Sequence, residues 1–312
     1  MTALAFVFPG QGSQAVGMLN AWEGHAAVRD TLAEASDALG EDIARLIAEG
    51  PKETLDLTTN TQPVMLTAGI ACWRAWQAET GLSPVAVAGH SLGEYSALVA
   101  AGVLTLKDAL PLVRFRAQAM QDAVPVGTGG MAAILGMDAE GVKAGCAQAA
   151  AACGEAVEAV NFNDPKQTVI AGTKAAVEKA CEVLKAAGAK RALPLPVSAP
   201  FHSSLMKPAA ERLKEKLAAT AFASPLIPVI NNIDVAVVSD ADAIRDALYR
   251  QAFGPVRWVE TIAALKARGV THVIECGPGK VLAGMVKRID ADLIATTIFD
   301  PASLAEAKGL LA

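Results

Sequence analysis

The pentapeptide Gly89-His90-Ser91-Leu92-Gly93 lies between a short apolar run, Val85 to Ala88, and an Ala-rich stretch of helical character. A G-x-S-x-G pattern on a strand-turn-helix junction is a nucleophile elbow. The serine sits on a turn so sharp that a Cβ on either side would crowd it. The helix that follows aims its free N–H groups at any anion forming there. A tight turn whose serine only caps the helix is the alternative. A serine hydroxyl needs a base within hydrogen-bond reach, and the chain has four histidines. His25 opens a polar helix, where solvation is expected, and the turn sends the His90 side chain away from Ser91. His272 begins a strand. His202, in Ser198-Ala199-Pro200-Phe201-His202-Ser203, falls on a loop between strand and helix, where such folds carry function, and it is the candidate base. A surface loop histidine is its alternative. No acidic residue between Ser91 and His202 stands at a strand end as a third member, since Asp164 reads as a turn residue before Pro165. The missing acid counts against a plain esterase.

Two glycine-rich loops invite nucleotide readings. Gly10-x-Gly12-x-x-Ala15 follows a strand and formally fits the dinucleotide fingerprint, but a long helical stretch replaces the second strand and its ribose-binding acid. A glycine-rich loop at a strand end also lets backbone N–H groups approach a reacting carbonyl oxygen. Gly277-Pro278-Gly279-Lys280-Val281 carries Val281 where a P-loop needs a magnesium-binding hydroxyl. No metal site is expected.

With 312 residues, 53% hydrophobic and 19% charged, the chain can build a large core. A net charge of −5 offers no footprint for nucleic acid or an anionic membrane. No apolar run reaches spanning length, and Met1 leads into the strand-like ALAFVF with no basic, cleavable leader. Cys72, Cys146, Cys153, Cys181 and Cys276 are an odd, scattered set, read as reduced thiols of a cytoplasmic protein.

The positioning elements follow from periodicity. Leu4–Phe8 reads as strand and 26–48 as helix, on the spacing Val28, Leu32, Ala35, Leu39, Ile43, Leu46, Ile47. Asn60-Thr61-Gln62-Pro63 supplies caps for a central helix over 64–79, stopped by Gly81. Thr105-x-x-Asp108 opens a helix to Gln121, with Pro111 inside it. After a linker at Val124 to Gly130, the stretches 131–135, 139–152, 156–162, 167–171, 174–187 and 191–197 alternate as β-α-β-β-α-β, the ferredoxin-like order. The alternation then resumes with helix 203–219, strand 228–232, helices 241–252 and 257–267, strand 271–276, helix 280–289 and strand 295–299. The expected fold is α/β. A mostly parallel sheet covered on both faces forms a large domain from 1–126 and 199–312, interrupted by a small ferredoxin-like domain over 127–198.

In that order the chain carries FPGQGSQ (8–14), NTQP (60–63), GHSLGEY (89–95), Arg116 with Met120-Gln121, GTGGMAAILG (127–136), AVNFN (159–163), Phe201-His202, RQAFGPVRW with Gln251, and ECGPGKVL (275–282). Together these resemble the malonyl-CoA:acyl-carrier-protein transacylases, the acyltransferase family of fatty acid and polyketide synthesis. The resemblance covers almost the whole chain and implies an α/β-hydrolase-like large domain with a ferredoxin-like insert. It implies Ser91 as nucleophile and His202 as base, with the backbone carbonyl of Gln251 orienting the imidazole in place of a triad acid. The backbone N–H groups of Gln11 and Leu92 would form the oxyanion hole. Arg116 would grip the malonyl carboxylate, with Gln62, Met120 and Phe201 lining the substrate site, whereas Arg114 on another helix face would be an ordinary surface charge. Malonyl would pass from a coenzyme A thioester to Ser91 and on to the phosphopantetheine thiol of an acyl carrier protein, with no cofactor. The acidic carrier would meet Lys190, Arg191, Lys287 and Arg288. A cytoplasmic monomer serving fatty acid synthesis is expected. A discrete acyltransferase of a polyketide pathway or of malonate decarboxylase, a serine thioesterase, a nucleotide-binding oxidoreductase and a carrier-docking module are the alternatives.

Overall fold

The strands are, in chain order, β1 (Leu4–Phe8), β2 (Ala86–Gly89), β3 (Gly129–Leu135), β4 (Val157–Asp164), β5 (Gln167–Thr173), β6 (Arg191–Pro194), β7 (Val229–Ile230), β8 (His272–Cys276) and β9 (Ile294–Ile298). They come from a computed structural model that describes residues 2–197 and 199–311. Ser198, where the small domain was expected to end, lies outside the described residues, as does Met1. One sheet has the order β7-β2-β1-β8-β9, every neighbouring pair parallel. All five residues of β1 and all four of β2 are buried, which is why they read as unbroken apolar runs rather than alternation. The helix Thr58–Thr80 is buried along most of its length, and Trp73 and Trp76 pack edge-on against Phe6 of β1 at 5.1 and 5.3 Å.

The second sheet has the order β4-β5-β3-β6 and is antiparallel throughout. Its helices, Ala139–Cys153 and Lys174–Ala186, bury one face against it around Ala132, Ile134, Ile170 and Leu184. This is the ferredoxin-like arrangement set beside an all-parallel α/β sheet. β4 also bonds the segment before the helix Trp258–Ala267, through Phe162 N–H to the Val256 carbonyl at 3.0 Å and Val256 N–H to the Val160 carbonyl at 2.8 Å. Arg288 adds an ion pair to the buried Asp164 at 2.7 Å.

Several expected boundaries moved. The helix over 26–48 is two, Ala26–Leu39 and Ile43–Glu49, because Gly40 takes a left-handed cap at φ 63°. The central helix begins at Thr58, not 64, so Asn60–Pro63 lie inside it. Their side chains serve the preceding short helix, Lys52–Leu55, with Asn60 donating to the Thr54 carbonyl and Thr61 to the Leu55 carbonyl. The strand over 228–232 shrinks to two residues, which frees Asn232 for other partners. A helix at Pro301–Gly309, with an Asp300–Ser303 capping box, had not been expected.

Candidate active site

The elbow stands where β2 ends. Ser91 is held at φ 53°, in the left-handed region that β-carbon sterics disfavour. A Cβ on Gly89 would come within 1.9 Å of the Gly93 carbonyl carbon, and one on Gly93 within 2.0 Å of the Phe8 carbonyl oxygen. Gly89 is therefore required by the tightness of the turn into the helix, and Gly93 by the close approach of β1. Asn232 fastens the same turn, accepting from Ser91 N–H at 2.8 Å and donating to the Gly89 carbonyl at 2.7 Å.

His202, also at positive φ (66°), brings its Nε2 to 2.7 Å from Ser91 Oγ. Its Nδ1 lies 2.9 Å from the Gln251 backbone carbonyl. A carbonyl only accepts, so the proton belongs on Nδ1 and Nε2 is free to take the serine proton. Burial, with the Arg116 charge second, pushes the imidazole down to about 3. It is a neutral acceptor at any working pH.

Arg116, on the helix Leu106–Asp122, is 2% exposed. Its Nη1 donates to Gln62 Oε1 at 2.8 Å, and its Nη2 to Gln251 Oε1 at 3.1 Å and Ser91 Oγ at 3.3 Å. Nε has no partner, and the guanidinium lies over the Tyr95 ring at 5.5 Å. Two amides and a hydroxyl hold a buried cation with no carboxylate in contact. Such a group costs several kcal/mol to bury unless an anion completes it. Arg114 forms a two-point ion pair with Glu41 at 2.8 Å on the outer surface.

A cavity of about 130 Å³ opens over these groups, lined by Gln11, Gln62, Ser91, Leu92, Arg116, Met120, Phe201 and His202, with Met131, Leu195 and Val197 supplying the small-sheet side. A second cavity of about 290 Å³ continues from it past His90, Asn161 and Leu195 to Val281 and Leu282. The structure thus collects every expected catalytic and substrate residue at one place except Gln251, which meets the site from behind.

Lys190, Arg191, Lys287 and Arg288 lie elsewhere, all exposed. Lys190 and Arg191 sit where β6 joins β3, Arg288 is tied to Asp164, and Lys166 is close by, since its carbonyl accepts from Gly136, the residue packed on the Lys190 side chain.

The other histidines differ in part from expectation. His25 is half-buried against Trp22, ring centroids 5.4 Å apart, rather than fully solvated. His90 turns from Ser91 toward Asn163 Oδ1 at 2.8 Å and Trp258, joining the elbow to β4. Asp164 does form the turn, accepting from Lys166 N–H at 2.8 Å, and also receives Arg288.

Sequence reasoning missed Glu94. It is 2% exposed, and its Oε2 accepts from Asn232 N–H and Gln251 Nε2, both at 2.9 Å. Only its place inside GHSLGEY signalled it, as an acid in the first turn of a helix that is otherwise uncharged. Among the described residues no group of three or more His, Cys, Asp or Glu could hold a metal, and no helix is long and apolar enough to cross a membrane.

A strained serine, a neutral histidine and a pocketed cation at the ends of parallel strands are the equipment of an enzyme that carries acyl groups on serine. The chain belongs to the acyl transferase family, whose domain matches residues 5–293. It is 54% identical over 308 residues to the malonyl CoA-acyl carrier protein transacylase of Salmonella typhimurium, covering 98% of this chain and 99% of that one. The crystal structure of the acyl-carrier-protein S-malonyltransferase of Burkholderia pseudomallei superposes with a TM-score of 0.96 at 68% identity, over 98% of this chain and 99% of that one. A malonyl-transacylase solved in complex with a type II PKS acyl-carrier protein matches at TM-score 0.96 and 51% identity, covering 98% and 99%.

Proposed function

We propose that this protein moves malonyl from malonyl-CoA to the phosphopantetheine thiol of an acyl carrier protein through a malonyl-Ser91 ester, supplying fatty acid synthesis. The observation that carries the substrate choice is Arg116, a buried guanidinium with no carboxylate in direct contact, 3.3 Å from the nucleophile. A malonyl group attached to Ser91 puts its free carboxylate within reach of that cation, and acetyl has nothing to offer it.

In the first half-reaction His202 Nε2 takes the Ser91 proton as Oγ attacks the thioester carbonyl. Gln11 and Leu92 both line the cavity, and their backbone N–H groups are the proposed receivers of the oxyanion. Collapse expels the coenzyme A thiolate, which leaves with the proton from His202. In the second half the carrier's thiol gives its proton to His202, its sulfur attacks the ester, and Ser91 recovers the proton. Throughout, the Gln251 carbonyl keeps Nδ1 protonated. A base held so weak deprotonates a thiol far more readily than water, which supports transfer over hydrolysis.

The same weakness predicts a pH profile. An ordinary histidine base would cut kcat/KM as pH falls through about 6.5. Here burial and the Arg116 charge push His202 down to about 3, so kcat/KM for malonyl-CoA should show no loss between about pH 8 and pH 5. A limb falling near about 6.5 would refute that environment.

Lys190, Arg191, Lys287 and Arg288, with Lys166 beside them, are proposed to meet the acidic carrier. Charge reversal at the two pairs should raise the KM for the carrier and spare that for malonyl-CoA. We further propose a cytoplasmic monomer that needs no cofactor and binds neither nucleic acid nor membrane, with 127–198 a small domain inserted into a large one of 1–126 and 199–312.

The functional test is a donor and acceptor panel: malonyl- and acetyl-CoA against holo carrier proteins of fatty acid and polyketide type. Malonyl transfer to the fatty acid carrier is the expected result. Exclusive use of the polyketide carrier would redirect the pathway, as the PKS complex of a 51% identical relative makes worth testing. Free malonate released without an acceptor would replace the transferase by a hydrolase.

A further inference from the structure

Glu94 and Arg116 are opposite charges buried on either side of one amide. Gln251 donates to Glu94 Oε2 through Nε2 at 2.9 Å and accepts from Arg116 Nη2 at its Oε1 at 3.1 Å. The charged and titratable groups around Glu94 are few. From the helix Leu106–Asp122 comes Arg116, from the segment after β7 comes Asp234, and beside Glu94 on its own helix is Tyr95. Arg250, on the helix Ala241–Phe253, is spent on Asp234, two bonds at 2.7 Å, and on Asp246. His202 makes no hydrogen bond to Glu94 itself and is linked to it through Gln251 and, by way of Ser91, through Asn232. Arg116 is therefore the cation that supports the ionised form of Glu94.

We propose that loading malonyl onto this enzyme is coupled to protonation of Glu94, because the malonyl carboxylate displaces Glu94 as the counter-charge of Arg116. The proposal rests on the reading that Arg116 receives the malonyl carboxylate. Two carboxylates then share one buried guanidinium, and like charges at that range cannot both stay ionised at no cost. Malonyl binds Arg116 directly, while Glu94 reaches it through an amide, so Glu94 yields. It takes one proton from solvent and becomes a neutral acid, with no bond otherwise made or broken. Burial already lifts this carboxyl to about 7, so the proton is available near neutrality. Acetyl carries no charge and leaves the pair as it is.

The test mixes the wild-type protein with malonyl-CoA or acetyl-CoA at about pH 8 in weak buffer with a pH indicator, intact mass reporting the acyl load. Exchange of a thioester for an ester and a free thiol consumes no proton by itself. Uptake approaching about one proton per malonyl group is expected, with none for acetyl-CoA. Glu94→Gln keeps the volume and an oxygen to accept both hydrogen bonds, and should load malonyl with no uptake. If that variant does not fold, difference infrared spectra of the wild type, with ¹³C-malonyl to shift the substrate bands, should show a carboxylic acid band growing with malonyl load. Malonyl-enzyme formed without proton uptake would overturn the coupling and leave the functional reading intact, and so would equal uptake in Glu94→Gln, which would put the proton on His202. No malonyl-enzyme at all would overturn both.

Discussion

Ser91→Ala should reduce malonyl transfer by a factor on the order of 10⁴ to 10⁶ and leave no acylated protein. His202→Ala should fall in the same range, and the double variant should fall little further. The non-additivity is the informative part. Ser91 Oγ and His202 Nε2 stand 2.7 Å apart and act as one unit, so removing either removes the attack. The residual rate belongs to substrate binding and to the oxyanion hole proposed at Gln11 and Leu92. Both variants should remain folded, since Ser91 and His202 each hold a strained positive φ that their removal does not worsen. Rates from radiolabelled transfer, beside thermal unfolding of each variant, would check this. Losses that simply multiplied in the double variant would mean that the two residues work independently.

Arg116→Ala should cost malonyl, relative to acetyl, about 3–5 kcal/mol, or roughly 10²- to 4 × 10³-fold in the ratio of their kcat/KM values. The absolute rate with acetyl-CoA should change much less, and it has a reason to improve. The guanidinium is the second cause, after burial, of the low basicity of His202, so its removal makes the base stronger. Gln62 and Gln251 would each lose the donor that holds an amide oxygen, at 2.8 and 3.1 Å. Arg116→Lys is the sharper control. An ammonium keeps the charge but cannot grip two oxygens or span Gln62 and Gln251 together, so only part of the preference should return. An unchanged malonyl-to-acetyl ratio in Arg116→Ala would remove Arg116 from substrate recognition.

Much of this was legible because local chemistry and global fold agree. β1 and β2 are buried on both faces and read as plain apolar runs, and the β-α-β-β-α-β order of the second sheet survives in short, well-capped elements such as the Asp138 and Thr173 helix starts. The elbow is legible because Gly89 and Gly93 have no steric substitute. His202 could be found among four histidines by its loop position. Gln251 as the partner of its Nδ1 came only from family resemblance, because a backbone carbonyl has no residue type to read. Glu94 and Asn232 were missed for a related reason. Their partners are 138 and 141 residues away along the chain, at Asn232 N–H and Ser91 N–H, and nothing in local periodicity reports such pairs. The split at Gly40 and the early start at Thr58 were misjudged because apolar spacing continues across a glycine cap and a cap-like Asn-Thr-Gln-Pro run occurs inside a helix.

The central claim is that Ser91 accepts malonyl and holds it for a thiol. The most direct measurement is intact-protein and peptide mass spectrometry after mixing the wild-type protein with malonyl-CoA and no acceptor, sampled over minutes and then after adding holo carrier protein. A single malonyl group on the peptide containing Ser91 should appear at once, persist without acceptor, and vanish when the carrier arrives, with malonyl gained by the carrier. An adduct on another residue, no adduct, or loss of the adduct to water before any thiol is added would contradict it.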